Sequence, residues 1–476
     1  MTYHIKGESR AQSTLFPETL DDYISEDNPV RVVDVFVDQL SLSDLGFSLA
    51  MDKRTGRPGY HPATMLKLYI YGYLNRIQSS RRLENESHRN VELMWLLERL
   101  TPDFKTIADF RKDNGEGIKQ VCRQFVEICR KLNMFDGADF AIDGSKFKAV
   151  NNKARNFTPA KVKANIKKTE ESIQKFMQQM DDADRAESGA VSVVSTEKLA
   201  WFKNRLAELK TIEKEVEAHP DKQVSQTDPD ARLLSSNRLQ AQVCYNVQTA
   251  VDTRHHLIVA HDIITTTDRG HITRVARLVQ QAMRRADITI HADKGYFSRQ
   301  DIKDAHDLGI TANVPQVDTS GAAKKGIFNK SLFVYDKEKD VYTCPAGNTL
   351  PYQRIQEDRG VKQKIYLDHI ACRDCNIRHH CTTSSYAPRR MRRWVHEDLI
   401  DEMVGRLKDN PQLPVIRKRT VEHPFGTMKM WMGATHFLTK RKKNVSTELS
   451  LSVLAYNLKR MINILGVSSL TKAIKT

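Results

Sequence analysis

Phe140-Ala141-Ile142-Asp143-Gly144-Ser145-Lys146-Phe147-Lys148 is the stretch whose reading decides the fold. Phe140 and Ile142 alternate with Ala141 and Asp143, the two-residue period of a strand, and Gly144 then permits a turn or a close approach. A carboxylate on a strand among apolar neighbours is costly unless a cation or a metal meets it. The plainer reading is a solvent-facing Asp at a strand end. A second stretch repeats the pattern: Ile288-Thr289-Ile290-His291-Ala292-Asp293-Lys294-Gly295-Tyr296 runs apolar and β-branched into Asp, then Gly. A lone acid, Glu422, lies inside a strongly basic helical segment. Two strand acids and one helical acid, remote in sequence, point to convergence on divalent metals.

Further strands flank these two. Val243 to Val251 and His256 to Ala260 are separated by Asp252-Thr253-Arg254-His255, which reads as a hairpin. A helix from about Ile272 to Arg285 precedes the Asp293 strand, and a helix from Arg299 to Leu308 leads to Ile310-Thr311-Ala312-Asn313-Val314. That alternation predicts a mixed α/β sheet. Between Asp143 and these strands lies a polar insert that opens on Thr158-Pro159. Val162, Ile166, Ile173, Phe176, Met177 and Met180 line one side, a break spans Ser188 to Ser195, and Leu199, Phe202, Leu206, Leu209 and Val216 follow at near-heptad spacing. The insert therefore reads as an antiparallel helical hairpin. Its lysines (161, 163, 167 and 168) form a solvated face.

Upstream, residues 1 to about 50 read as a loose lead-in with a short helix near Pro29 to Leu40, and Arg57 to Pro62 is a turn cluster. Pro62 opens a helix with Leu66, Tyr69, Ile70, Tyr73, Leu74 and Ile77 on one stripe. Thr106 with Asp109 resembles a capping box for a helix running to about Leu132. Basic connectors, including Arg81 and Arg82, suit a DNA-docking module; a dimerisation bundle is the alternative.

Downstream, residues 317 to 395 carry short β-like segments and four of the seven cysteines, Cys344 and Cys372-x2-Cys375-x5-Cys381. Four thiols with a CxxC pair suit a structural Zn²⁺ site, with His379 or His380 able to replace one; unconnected free thiols are the alternative. Residues 396 to 476 read as helical. Helical spacing puts Lys418 and Lys429 on the face of Glu422, and Pro424 with Gly426 is expected to bend that helix. The last helix, with Leu451, Leu454, Ala455, Leu458, Met461, Ile462 and Leu465, is expected to pack back on the sheet.

The 476 residues carry a net charge of +16. A surplus that large suggests a polyanionic partner, nucleic acid first and an anionic membrane second. No apolar run is long enough to span a bilayer, no secretory segment is recognisable, and an odd number of cysteines argues against a disulfide framework. A reducing, cytoplasmic, nucleoid-associated setting is expected. Phosphodiester chemistry suits two Mg²⁺ or Mn²⁺ ions roughly 3.5–4 Å apart. Asp143, Asp293 and Glu422 are the candidate ligands and catalytic acids, with Lys418, Arg419, Lys429, Arg81 and Arg82 on the DNA backbone. Rival acids are Asp228, Asp230, Asp252, Asp262 and Asp268. Asp252 is explained by its turn, Asp228 and Asp230 by caps or turns, and Asp262 is the strongest rival because it follows an apolar strand.

Three blocks carry a family likeness: Tyr60 to Arg111, including Tyr71-Gly72-Tyr73-Leu74 and Thr106-Ile107-Ala108-Asp109-Phe110-Arg111; the two Asp-containing strands; and Arg419-Thr420-Val421-Glu422-His423-Pro424-Phe425-Gly426 with Lys429. Taken together, the chain resembles bacterial insertion-sequence transposases of the DDE type. The resemblance implies a ribonuclease H-like mixed sheet, Asp143 on its central strand bridging both ions, and Asp293 and Glu422 completing the shell. Where many relatives carry Tyr seven residues and Arg four residues before the Glu, this chain has Val415 and Lys418. The implied organisation is an all-α DNA-binding domain over 1–135, core over 136–316 with the hairpin at about 158–220, a cysteine-rich zinc-binding insertion over 317–395, and core completion over 396–476. The implied activity is binding of double-stranded terminal inverted repeats, cleavage at the ends and joining of the 3′-OH to target DNA, by a homo-oligomer, a dimer on paired ends. A non-catalytic zinc-containing DNA-binding regulator and a simple hydrolytic nuclease are the alternatives. Tyr296 and Phe297 are expected either to stack on an extruded base or, as core residues, to pack.

Overall fold

The computed structural model describes residues 18–47, 59–135, 137–185, 193–236, 239–316, 321, 325–384 and 386–475. The first part of the lead-in, the start of the turn cluster at Arg57-Pro58 and most of the Ser188–Ser195 break lie outside the described residues. Six helices come first: α1 (Val30–Asp38), α2 (Pro62–Leu74), α3 (Ser80–Ser87), α4 (Val91–Leu96), α5 (Phe104–Asp113) and α6 (Gly115–Lys131). Met65, Leu66 and Leu68 through Tyr73 of α2 are all buried, so it is enclosed on more than one stripe. Its tyrosines tolerate this because their hydroxyls find partners: Tyr69 donates to the Ile107 carbonyl at 2.7 Å, Tyr71 donates to Glu92 at 2.5 Å, and Tyr73 accepts from Arg111 at 3.3 Å. The single helix expected from Thr106 to Leu132 is two. Asp103 caps α5 by accepting from the Lys105 and Thr106 N–H groups, and Asn114 leaves the helical region. Gly115 then opens α6 where a Cβ would stand 2.6 Å from Thr447 Oγ1, so this glycine sets how closely the final long helix approaches.

β1 (Asp139–Lys148) leads through the two-residue β2 (Asn156–Phe157) into the helical hairpin, α7 (Pro159–Arg185) and α8 (Val193–Ala218). β3 (Val224–Ser225) pairs with β2 and clips the hairpin's base. The sheet is then completed by β4 (Arg232–Ser236), β5 (Leu239–Asp252), β6 (Ile258–Ile264), β7 (Ile288–His291) and β8 (Ile310–Asn313), with α9 (Ile272–Met283) and α10 (Arg299–Asp307) between strands. This six-stranded sheet has the order β4-β5-β1-β7-β8, and β6 also pairs with β5. The long β5 is antiparallel to β1, β4 and β6; β7 lies parallel to β1, and β8 parallel to β7. The fold is thus a mixed α/β sheet flanked by helices.

A second sheet, of five antiparallel strands, follows: β9 (Val334–Asp336), β10 (Val341–Thr343), β11 (Thr349–Asp358), β12 (Val361–Tyr366) and β13 (Met391–Trp394), with the short α11 (His369–Arg373) before the last strand. It has its own small core of Phe333, Tyr342, Leu350, Tyr366 and Met391. The chain closes with α12 (Glu397–Asp409), α13 (Leu413–Gly426), a π-helical turn (Thr427–Trp431), α14 (Lys442–Leu465) and α15 (Val467–Lys475). Asp228 and Asp230 are caps: they accept from the N–H groups of Arg441 (3.0 Å) and Lys442 (2.8 Å) at the start of α14. Further along α14, Asn457 exchanges two 2.8 Å hydrogen bonds with the Ile258 backbone and so satisfies the start of β6. One continuous core runs from Ile24 through the main sheet to Ile474.

Candidate active site

The parallel register places the two strand acids. Ala141 of β1 lies opposite His291 of β7; two residues further on, Asp293 stands just past the end of β7 beside Asp143, which is midway along the longer β1. Each carboxylate is oriented by the backbone that follows it: Asp143 Oδ1 accepts from the Gly144 N–H at 2.9 Å, and Asp293 Oδ1 accepts from the Gly295 N–H at 2.8 Å. Arg417 of α13 brings its Nη2 to 2.5 Å from Asp143 Oδ1. Burial pushes the Asp143 carboxyl up to about 6; Arg417 pulls the other way, while the charges of Asp293 and Asp268 add to the rise. The middle of β1 is therefore an acid-rich place where one arginine supplies the counter-charge.

Asp268, in the loop between β6 and α9, comes to the other pleat of β1. Its Oδ1 accepts from Asn246 Nδ2 and Gln248 Nε2, both at 2.8 Å. A Cβ at Gly144 would stand 2.0 Å from that same oxygen and 2.5 Å from Gln248 Nε2, so only glycine leaves room. Asp262, the stronger rival on sequence grounds, instead pairs with Arg274 at 2.5 Å. Asp252 caps its hairpin turn by accepting from Arg254 and His255 N–H groups. Neither Arg417 nor Asp268 stands out in the sequence, the first lying in a basic run and the second in a polar loop. One signal was available: Asn246 and Gln248 fall at period two within an otherwise apolar strand, and buried amides require partners.

Glu422 is placed differently. It is 64% exposed on α13, with Lys418 one turn back at 3.8 Å. Five residues of helix put Glu422 about 140° around the axis from Arg417, which faces Asp143. Lys429 does not share the Glu422 face. The π-helical turn fits more residues into each turn than an α-helix, and Lys429 there points to β1, where its Nζ donates to Ser145 Oγ (2.6 Å) and the Lys146 carbonyl (3.0 Å). Lys418 and Arg419 are exposed, as are Arg81 and Arg82 on α3, with Arg81 lying 5.2 Å over the Phe104 ring. Tyr296 is fully buried and donates to Gln248 Oε1 at 2.5 Å, and Phe297 packs against the core, so both pack.

Cys344, Cys372, Cys375 and Cys381 line one cavity of about 20 Å³ beside Arg378 and Arg389. Burial pushes the thiols of Cys372 and Cys381 up, and each is raised further by its neighbouring cysteines. Among the described residues, no three His, Cys, Asp or Glu side chains have the spacing of a finished metal cage, either here or beside Asp143.

Paired acids on adjacent parallel strands, one midway along β1 and met by a helix-borne arginine, the other just past the end of β7, define a mixed α/β protein with a polar, anionic site. Residues 18–113 match a family model described as a transposase domain (DUF772), and residues 343–462 match one described as a transposase DDE domain. Both matches support a transposase of the insertion-sequence DDE type. The segment between the two matches contains Asp143 and Asp293; the second match contains Glu422 and the four clustered cysteines. No curated protein matches the chain. Among solved structures, a piggyBac transposase in a synaptic complex with hairpin DNA aligns over 94% of this chain and 79% of that one, at 8% identity and a TM-score of 0.34, a likeness too slight to carry an argument. Among the described residues no helix is long and apolar enough to cross a membrane.

Proposed function

We propose that this transposase binds the terminal inverted repeats of its element, cuts at their ends and joins the freed 3′-OH to target DNA, on a ribonuclease H-like core. The observation that carries the proposal is the placement of Asp143, midway along β1, next to Asp293, just past the end of the adjacent parallel β7. The strand order supports the core assignment, with three antiparallel strands (β6, β5, β1) continued by two parallel ones (β7, β8). A divalent ion fits the donors present, since the set is all carboxylate oxygen and Asp143 is destabilised in its charged form. Asp143 and Asp293 would hold such ions, Mg²⁺ or Mn²⁺, with Glu422 as the third acid on the strength of its place in the matched DDE stretch. When bound, two such ions stabilise the attacking and departing oxygens of an in-line displacement.

The chain's own groups do the rest. The backbone N–H groups of Gly144 and Gly295 each take one carboxylate oxygen, which fixes the rotamers and leaves the second oxygen of each acid for a ligand. Arg417 balances Asp143 in the resting site. Lys418, Arg419, Arg81 and Arg82 are exposed cations available to phosphates, whose neutralisation releases counterions. In the cysteine cluster four soft donors around one small cavity fit Zn²⁺, which would fasten α11 to the second sheet.

Incubation of the protein with its own element's ends and Mg²⁺ tests the reading. Asp143→Asn and Asp293→Asn should keep end binding and lose cleavage; Glu422→Gln should do the same. Unchanged cleavage by Asp143→Asn would remove the strand acids from the chemistry. Metal analysis of chelator-free protein tests the zinc site, with about one ion per chain expected.

A further inference from the structure

We infer that Asp268, Gln248 and Tyr296 form a brace that sets the gap between Asp143 and Asp293, with Asp268 acting as a positioning residue of the proposed reaction. The inference rests on the reading above that these two acids hold the ions. Asp293 rides on a short turn, Lys294–Tyr296, rather than on the strand itself, because β7 ends at His291. A turn of three residues has no sheet hydrogen bonds to fix it against β1. Tyr296 supplies the tie. Its hydroxyl donates to Gln248 Oε1 at 2.5 Å, Gln248 Nε2 donates to Asp268 Oδ1 at 2.8 Å, and Asn246 Nδ2 donates to that oxygen at 2.8 Å and to the Thr266 carbonyl at 3.0 Å.

Gln248 and Asn246 belong to β5, and β5 is the antiparallel partner of β1, with Gln248 opposite Gly144. The turn bearing Asp293 is thus tied through Tyr296 and Gln248 to β5, the strand paired with the one that holds Asp143, and Asp268 anchors Gln248 from behind. The route passes over Gly144, where a Cβ would block it. Three of the members are enclosed, Tyr296, Gln248 and Asn246 being at most 1% exposed, while Asp268 is half-buried. Buried amides in a closed chain of hydrogen bonds hold geometry well, since each lost partner leaves another group unsatisfied. A carboxylate suits the end of this chain because it accepts from two amides at once and has no proton to compete. Groups of this kind behind metal ligands typically set metal affinity by about 10–100-fold.

The test is Mn²⁺ binding to the full-length protein without DNA, read from the loss of the free-ion electron paramagnetic signal, alongside melting temperature and end-DNA affinity. Tyr296→Phe keeps the ring and removes only the tie; Asp268→Ala removes the anchor; Asp268→Asn keeps an oxygen that accepts but loses the charge. The brace predicts that Tyr296→Phe and Asp268→Ala weaken Mn²⁺ binding roughly ten-fold, with end-DNA affinity unchanged. Asp268→Asn should bind Mn²⁺ within about two-fold of the parent protein. Parent-like Mn²⁺ affinity in both Tyr296→Phe and Asp268→Ala would overturn the inference. So would a loss in Asp268→Asn as large as that in Asp143→Asn, because Asp268 would then be a ligand rather than an anchor. Asp143→Asn in the same titration keeps the two readings apart: parent-like binding there would defeat the proposed metal site itself.

Discussion

Asp143 is ionised at a cost to the fold, and the sign of that cost can be measured. Its folded carboxyl is raised from 3.8 to about 6. Below 3.8 it is protonated both folded and unfolded; between 3.8 and 6 only the folded chain keeps the proton. Stability of the metal-free protein should therefore fall as pH rises through this window and lie flat, for this group, above it. The loss is on the order of 1–3 kcal/mol, given that the side chain is partly open to solvent. Urea denaturation in chelator should show Asp143→Asn without this slope and more stable than the parent above pH 6; a parent-like slope in the variant would exclude Asp143 as its source. The glycine beside it gives a second test. Gly144→Ala should cost about 1–3 kcal/mol, because the new Cβ meets Asp268 and Gln248 on a central strand that cannot shift. Gly405→Ala, inside α12 with nothing within 4 Å, should gain about 0.5–1 kcal/mol. The same residues show what was legible beforehand. Asp143 and Asp293 were visible because a strand's period is local. Asp268 was visible only as one rival acid among five, and Arg417 only as one cation of a basic run, because what gives each a role is contact with a strand far away in sequence.

At the scale of elements, the informative segment is the one after α13. Counting residues along a regular helix groups Lys418, Glu422 and Lys429 on one face, but the chain winds into a π-helical turn at Thr427 and the grouping breaks. Pro424 lies inside α13 without ending it. Sequence spacing assumes one pitch throughout, so a change of pitch is the kind of feature it misses. The two lysines should accordingly behave differently. Lys429 is half-buried, hydrogen-bonded to the end of β1 and 4.5 Å over the Phe147 ring. Lys429→Met should cost about 1–2 kcal/mol, since it leaves Ser145 and a strand carbonyl without their donor and removes a cation from an aromatic face. Lys418→Met removes only an exposed pair and should change stability by less than about 0.5 kcal/mol. Equal effects in a denaturant titration would contradict the placement of Lys429 on β1. The helical hairpin, by contrast, was legible almost in full, because two amphipathic helices read by their own periodicity.

For the whole molecule, the division into successive modules hides a shared interior. The helices of residues 59–135 pack on α14, and α1 packs on α15, so the first and last parts of the chain enclose one core with the sheet. Arg76, between α2 and α3, donates to the carbonyls of Met430 and Trp431, and Gln78 donates to that of Met432 at 3.1 Å. The N-terminal helices thus also hold the segment that follows the Glu422 helix. Sequence patterning could not show this, because α14 is buried along most of its length from Val445 to Met461, and a helix enclosed on all sides presents no polar face to read. Its buried polar residues Glu448, Ser450, Ser452 and Asn457 fall on opposite sides of the helix, and each is hydrogen-bonded inside. The hairpin is the opposite case. Its base has a separate cluster of Phe157, Val162, Leu209, Ile212 and Val216, and α7 and α8 return the chain to where it left, beside the β2–β3 clip. Replacing residues 159–218 with a short Gly/Ser linker should therefore leave the main core folded, with a melting temperature within about 5 °C of the parent. Removing residues 1–135 strips the cover from Val445, Leu449 and Leu451 and should yield chain that is insoluble or lacks a cooperative transition. If the shortened chain without the N-terminal helices melted cooperatively near the parent temperature, the single shared core would be wrong, and the N-terminal part would be an independent domain.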